Sequence, residues 1–244
     1  MDRPEQMSPI TTPPRQGIPT DLASLLQRAR SEMSLNERAY QRIRDMIVHL
    51  ELPPASVIDE AKLTVELQIG LTPIRQALRR LAMENLVLIL PRRGTLVADL
   101  NMDNLQKIFE IRLELETLAA RLAAERATAA QITQMEQLLA PEMLAHAEGW
   151  GESRNELLIR IDRRAHELLS EATHNQILAD TLDSLYSHVL RLWYVNLKQV
   201  KALDDALAEH WQIVAAVAVG DGESAQAIMR KHISGFQNEV LNQL

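Results

Sequence analysis

Seven histidines and no cysteine are available for chemistry in this 244-residue chain. The lack of cysteine excludes disulfide frameworks, thiolate zinc sites and cysteine nucleophiles together. Three of the histidines stand out by position. Asp162 and His166 are four residues apart, so on a helix they share a face. Leu158, Ile159, Ala165 and Leu169 fill the rest of that face, and a carboxylate buried on an apolar stripe must be paired. His210 lies among Leu207, Ile213, Val214 and Val217, and His232 among Ile228, Met229 and Phe236. Between them is Gly220-Asp221-Gly222, with position 221 midway. Residues equidistant from the turn of an antiparallel helical hairpin meet at the same height, so His210 and His232 are expected side by side. One carboxylate and three imidazoles on inward faces suit a divalent transition metal. Taken singly, each histidine reads as a hydrogen-bonded core residue; the i,i+4 pair and the symmetric hairpin together favour the metal.

Arg112, between Ile108, Phe109 and Leu115, can pair with Glu116 at i,i+4 or hold a carboxylate by its guanidinium fork. The second role would make Arg112 a carboxylate-binding residue of a cavity in which His188 and Arg191 are also placed. A second group of residues is suited to nucleic acid. Thr72, Arg75, Gln76 and Arg79 occupy one segment, Lys62 precedes them, and Arg92-Arg93-Gly94 follow. Arg and Gln match base edges and phosphates. Arg75, Arg79 and Arg80 alone could equally be a solvated helix face; the Arg-Arg-Gly tip tilts the reading toward DNA.

The elements that position these groups follow from periodicity and punctuation. Tyr40, Ile43, Ile47 and Leu50 make a helical stripe over about 37–50, ahead of Pro53-Pro54. Asp59 is a plausible N-cap for a short helix carrying Leu63 and Leu67. After the break Gln68-Ile69-Gly70-Leu71, Thr72 is expected as N-cap and Pro73 as first residue of a third helix. Val87–Leu90 and Thr95–Val97 read as a β-hairpin whose tip is Pro91-Arg92-Arg93-Gly94. Two short helices, a turn, a third helix and this wing make a winged helix-turn-helix. From Met102 onward six helices are expected, over roughly 102–126, 130–147, 152–172, 175–198, 203–219 and 222–243. The fold class is therefore mainly α: a flexible tail over 1–33 (with a short helix over 21–33), a DNA-binding winged helix-turn-helix domain over 34–98 and an all-α six-helix bundle over 102–244 that carries the candidate metal residues.

Residues 38–98 resemble the winged-helix domain of GntR-type bacterial transcription regulators. The resemblance rests on Leu71-Thr72-Pro73-Ile74-Arg75-Gln76-Ala77-Leu78-Arg79-Arg80-Leu81 and on Leu86-Val87 through Arg92-Arg93-Gly94. It implies a dimer on a short palindromic operator, with Thr72, Arg75 and Gly94 at the DNA. The family's usual Ser/Thr-Arg before Thr-Pro is Gly70-Leu71 here, and its usual Gly is replaced at Ala55, Gln68 and Asn85. These departures imply an altered operator. Residues 102–244 resemble the FCD ligand-sensing domain of the FadR subfamily, through Asp162-Arg163-Arg164-Ala165-His166, Glu209-His210, His232-Ile233 and Asn175. That resemblance implies zinc or nickel at Asp162, His166, His210 and His232, and six helices suggest the VanR-like branch.

Composition agrees with two unlike halves. The net charge is −7 overall. Residues 34–98 hold nine Lys/Arg against seven Asp/Glu, and 99–244 hold thirteen against twenty-two. A mildly basic segment joined to an acidic one points to a nucleic-acid module attached to a different domain. The longest apolar run, Ile213–Val219, has seven residues, so no membrane span is expected, and cytoplasmic placement follows. The expected function is a ligand-responsive regulator, a repressor in most of the family, answering to a small carboxylate effector. Two alternatives remain open: a metal-dependent hydrolase using the Asp/His cluster, and a regulator with altered or lost operator reading. No carboxylate near the cluster suggests itself as a general base, and a hydrolase would leave the basic wing unexplained.

Overall fold

The structure is a computed structural model that describes residues 33–140, 154–196 and 203–242. The expected tail therefore lies outside the described residues except for Met33. Helix α1 (Leu35–Val48) is capped by Ser34, whose hydroxyl accepts from the Glu37 N–H at 3.2 Å. β1 (Val57–Ile58) is followed by α2 (Glu60–Leu67). The Asp59 carboxylate caps α2 by accepting from the amides of Ala61 and Lys62. Gln68 then takes a left-handed conformation, φ 54°, that ends the helix.

Helix α3 (Leu71–Met83) begins two residues earlier than expected, and its N-cap is Gly70 rather than Thr72. The sequence still permits this. The first four N–H groups of a helix have no intrahelical acceptor, so Pro73, third in the helix, loses no useful donor. α3 buries Ile74, Ala77, Leu78 and Leu81 against Ala39, Ile43 and Ile47 of α1. β2 (Val87–Leu90) and β3 (Gly94–Val97) form the expected hairpin, with Leu90 opposite Gly94 across a three-residue loop. The hairpin is not alone: β1 pairs with β3 (Val57 opposite Leu96), giving an antiparallel sheet in the order β1-β3-β2. Two residues are too short for any alternation signal, so β1 escaped the sequence reading. β2 is left at the sheet edge, with Leu88, Ile89 and Leu90 exposed.

Six helices follow among the described residues. They are α4 (Met102–Arg126), α5 (Ala129–Leu139), α6 (Arg154–Ala172), α7 (Gln176–Asn196), α8 (Leu203–Ala218) and α9 (Gly222–Asn242). A capping box between Thr128 and Gln131 starts α5. α5 stops at Leu139 instead of running to 147, because Pro141 disfavours helical backbone in the residue before it; residues 141–147 lie outside the described residues. The α6–α7 corner is set by Asn175, whose side chain accepts from the Leu178 N–H at 3.2 Å. The α8–α9 turn uses Gly220 at φ 76°, and Asp221 accepts from the Ser224 amide. α9 then runs along α4. Gly222 permits that approach, since a Cβ there would lie 3.1 Å from the Arg121 side chain and 3.4 Å from its carbonyl. Ala120, Ala123, Leu157, Ile161, Ile213 and Met229 fill the core between α4, α6, α8 and α9.

Candidate metal centre and nucleic-acid interface

α6, α8 and α9 bring Asp162, His166, His210 and His232 together, with one ligand atom from each lying within 4.8 Å of the others. All four residues are buried. The Nε2 atoms converge: His166 lies 3.3 Å from both His232 and His210. His210 and His232 meet across the hairpin with ring centroids 4.6 Å apart, as their equal distance from Asp221 demands. Asp162 Oδ1 lies 3.7–3.9 Å from the three Nε2 atoms and has no hydrogen-bond partner among the described residues.

This geometry fits a cation. His166 Nδ1 is 3.0 Å from Glu116 Oε2, and His232 Nδ1 is 3.0 Å from Glu209 Oε2. A carboxylate at Nδ1 favours the proton there and leaves the Nε2 lone pair facing the centre. Tyr186 donates its hydroxyl to Asp162 Oδ2, leaving Oδ1 free. Three imidazole lone pairs and an unpartnered carboxylate oxygen therefore point at one place, which is costly in a dry interior unless a positive charge sits there. The titration directions reflect the same crowding: burial resists charge on His166, but Glu116 and Asp162 outweigh it and raise its pKa. Burial opposes the Asp162 carboxylate, but the three imidazoles outweigh it and hold its pKa below the usual range. Glu116 is held at about 2: burial raises it, and His166 and Arg112 more than offset that. His210 is pushed well down by burial and by the charge of His232.

Glu116, Glu209 and Tyr186 were not assigned these roles from the sequence. Glu209 precedes a ligand and Glu116 follows Arg112 by four, but the partners lie on other helices, and no local pattern reveals them. Two of them, Glu116 and Glu209, place carboxylates beside the cluster. Both carboxylates are already engaged, Glu116 by Arg112 and Glu209 by Lys231 at 3.1 Å, so neither is an uncommitted base.

A cavity of about 220 Å³ opens beside the cluster. Arg112 lines it and is also paired with Glu116 at 3.0 Å, so both of its expected roles are compatible. Val189 and Trp193 of α7 and Phe236 of α9 make an apolar wall. His188 and Arg191 are not in this cavity, which corrects the sequence expectation. They lie about 200° and 140° around α7 from the cavity-lining Tyr186, on surfaces facing the winged-helix unit. His188 Nε2 is 2.8 Å from the Glu84 carbonyl at the end of α3, and Arg191 donates to the Ala98 carbonyl after β3. Burial outweighs the nearby Asp99 and lowers Arg191 to about 10. On the same side Asp183 pairs with Arg44 of α1, and Tyr194 packs on the His49 ring.

In the winged-helix unit the expected DNA residues Lys62, Thr72, Arg75, Gln76, Arg79, Arg92, Arg93 and Gly94 are all exposed. Arg75 donates from Nε to Glu60 at 2.8 Å, which leaves its two terminal NH2 groups for other partners. Arg80 is committed internally: it pairs with Glu37 and lies 3.5 Å over the Tyr40 ring. Leu71 is exposed in the first turn of α3.

Comparison with known proteins settles the family. Residues 35–97 match the bacterial regulatory proteins of the gntR family, and residues 107–235 match the FCD domain. The chain belongs to the GntR family, with an FCD domain. This GntR-family regulator is 28% identical over 208 residues to the HTH-type transcriptional repressor RspR of Escherichia coli, covering 84% of this chain and 89% of RspR. It is 25% identical over 216 residues to the HTH-type transcriptional regulator LutR of Bacillus subtilis, covering 79% and 95%. The solved structure of E. coli McbR/YncC shares the fold, with a TM-score of 0.73 at 22% identity over 86% of this chain and 99% of that one. The matched families and relatives are transcriptional regulators, not enzymes, and the hydrolase alternative is set aside. No helix of the described residues is long and apolar enough to cross a membrane.

Proposed function

We propose that this GntR-family protein is a cytoplasmic, homodimeric, ligand-responsive repressor. In this reading residues 34–98 bind a palindromic operator and residues 102–244 sense a small organic acid. The observation that carries it is the convergence of three Nε2 atoms and the unpartnered Asp162 oxygen beside a cavity that Arg112 also lines. Asp162, His166, His210 and His232 would hold zinc or nickel, and the ion would supply a fixed positive charge that attracts a carboxylate. Arg112 offers charge-assisted hydrogen bonds to the same group. The repressor role is supported by the likeness to RspR.

Helix α7 supports a route between sites. One face lines the cavity through Tyr186, Val189 and Trp193; other faces hold α1 through Asp183 and the end of α3 through His188. An acid that binds better to one arrangement of α7 than to another shifts the DNA-binding units by that difference in affinity. Lys62, Thr72, Arg75, Gln76 and Arg79 are assigned to the major groove, and Arg92, Arg93 and Gly94 to the wing contact.

The altered-operator reading is favoured by Leu71. It is exposed at the start of α3 and cannot donate a hydrogen bond, but it can contact a thymine methyl. Selection of bound genomic fragments, with and without added acids, tests the whole reading. Specific fragments are expected, and Arg75→Ala should weaken binding to them by about 1–3 kcal/mol. Undiminished binding by that variant would remove Arg75 from the interface, and an absence of enriched fragments would mean that operator reading has been lost.

A further inference from the structure

We infer that Trp193 is the effector's second anchor: its indole N–H donates to an acceptor oxygen that the ligand carries about 6 Å, one turn of helix, from its carboxylate. This rests on the effector site proposed above, and it gives that site a ligand class, an acid with a second and separate acceptor.

The observation is a pair of donors with nothing to bond. Arg112 and Trp193 both line the cavity and are 2% and 5% exposed. Arg112 Nε and Trp193 Nε1 are buried and have no hydrogen-bond partner among the described residues. A buried donor left unpaired forfeits its hydration, so native interiors keep few of them. Arg112 is tied through Glu116 to His166, so its free Nε belongs to the carboxylate end. Trp193 has no such neighbour. Phe109, Leu158, Leu190 and Phe236 of its apolar cluster supply no side-chain acceptor, and the open space against it is the cavity. The wall is thus apolar except at this one atom.

The helices fix how far apart the two ends lie. Phe236 follows His232 by one turn of α9, and Ala206 precedes His210 by one turn of α8. Because the hairpin is antiparallel, both steps lead away from Gly220, to a level about 6 Å beyond the cluster. The Trp193 ring stands at that level: its centroid is 4.8 Å from that of Phe236, at a 33° tilt. α7 agrees. Tyr186 bonds Asp162, and Trp193 lies on the same face of α7 about two turns further on.

Between the ends Val189, Ile233 and Phe236 offer hydrocarbon. Burying a keto or amide oxygen there without a partner is unfavourable compared with burying a methylene. An acid without the oxygen therefore binds better unless the indole supplies the bond. The preference between two such acids reads the N–H directly.

The test uses the full chain loaded with zinc, at fixed pH and ionic strength. Levulinate carries a keto group toward its far end, pentanoate is the same chain without it, and α-ketovalerate carries the keto group beside the carboxylate. Calorimetry should show levulinate binding about tenfold more tightly than pentanoate. Trp193→Phe should cancel that advantage and leave the ratio of α-ketovalerate to pentanoate as in wild type. The wild-type indole Nε1–H resonances give a reading that does not depend on that variant. The chain has three tryptophans, so Trp150→Phe and Trp211→Phe assign the Trp193 signal by elimination. It should move downfield with levulinate and not with pentanoate. Equal binding of the two acids, an advantage that survives Trp193→Phe or is lost equally by α-ketovalerate, or a signal that pentanoate moves as far overturns the anchor. If the acids still bind and need zinc to do so, the carboxylate site stands and only the anchor falls. Binding of none of the three overturns both.

Discussion

Ala55, Gln68 and Asn85 hold left-handed backbone, with φ of 61°, 54° and 59°. In the sequence they stood out as places where this chain lacks the glycine usual in regulators it resembles, and the structure supplies the reason for that glycine. A side chain with a Cβ pays about 1–2 kcal/mol in this region, and Asn pays least because its amide bonds locally. Ala55 and Gln68 are both exposed, so losing their side chains costs little burial. Ala55→Gly and Gln68→Gly should each raise stability by about 0.5–1 kcal/mol after the added freedom of the unfolded chain is deducted. Asn85→Gly should be close to neutral. Urea midpoints of the three variants check this, and equal shifts at all three positions would contradict the backbone explanation. The Asp/His cluster was legible at this same scale, because i,i+4 spacing and equidistance from Asp221 are geometric facts about helices. Tyr186, Glu116 and Glu209 were not, because each reaches the cluster from a position that only tertiary packing defines.

Among elements, α7 carries the most divided load. Its periodicity marks an apolar face but says nothing of which neighbour each face meets, and this is why His188 and Arg191 were assigned to the wrong side. The contacts they make instead join the winged-helix unit to the helical bundle: His188 to the Glu84 carbonyl, Arg191 to the Ala98 carbonyl, Asp183 to Arg44. Val48 of α1 also packs into the cluster formed by Phe109, Tyr186 and Trp193. Units joined this firmly unfold together, whereas weakly joined domains unfold separately. Wild-type protein is therefore expected to give one calorimetric transition. Arg44→Ala combined with His188→Ala should split it into two, with zinc content unchanged. One sharp transition in the double variant would show that the apolar contacts alone join the units.

At the scale of the molecule, the cluster ties α6, α8 and α9 through one point. Ligand present at 1,000 times its dissociation constant stabilises the state that binds it by about 4 kcal/mol. For a chain of this size that corresponds to a fall in Tm of roughly 10 °C on chelation. His232→Ala should already melt near the chelated value and respond little to chelator. A chelator-insensitive wild type that contains no zinc or nickel as purified would leave the three histidines as polar core residues. The two-unit plan was legible from the charge asymmetry and the change from turn-rich to uninterrupted helical patterning near residue 100, while the third strand was too short to announce itself. That strand leaves β2 on the outside of the sheet, with Leu88, Ile89 and Leu90 open to solvent and two arginines at the adjoining tip. An unpaired apolar edge is a template for self-association, and neighbouring charge is what keeps two such edges apart. Added salt weakens phosphate contacts and screens arginine repulsion alike. Wing-to-wing association is therefore expected to rise with salt as DNA binding falls, and light scattering over a salt series, with and without operator, checks it.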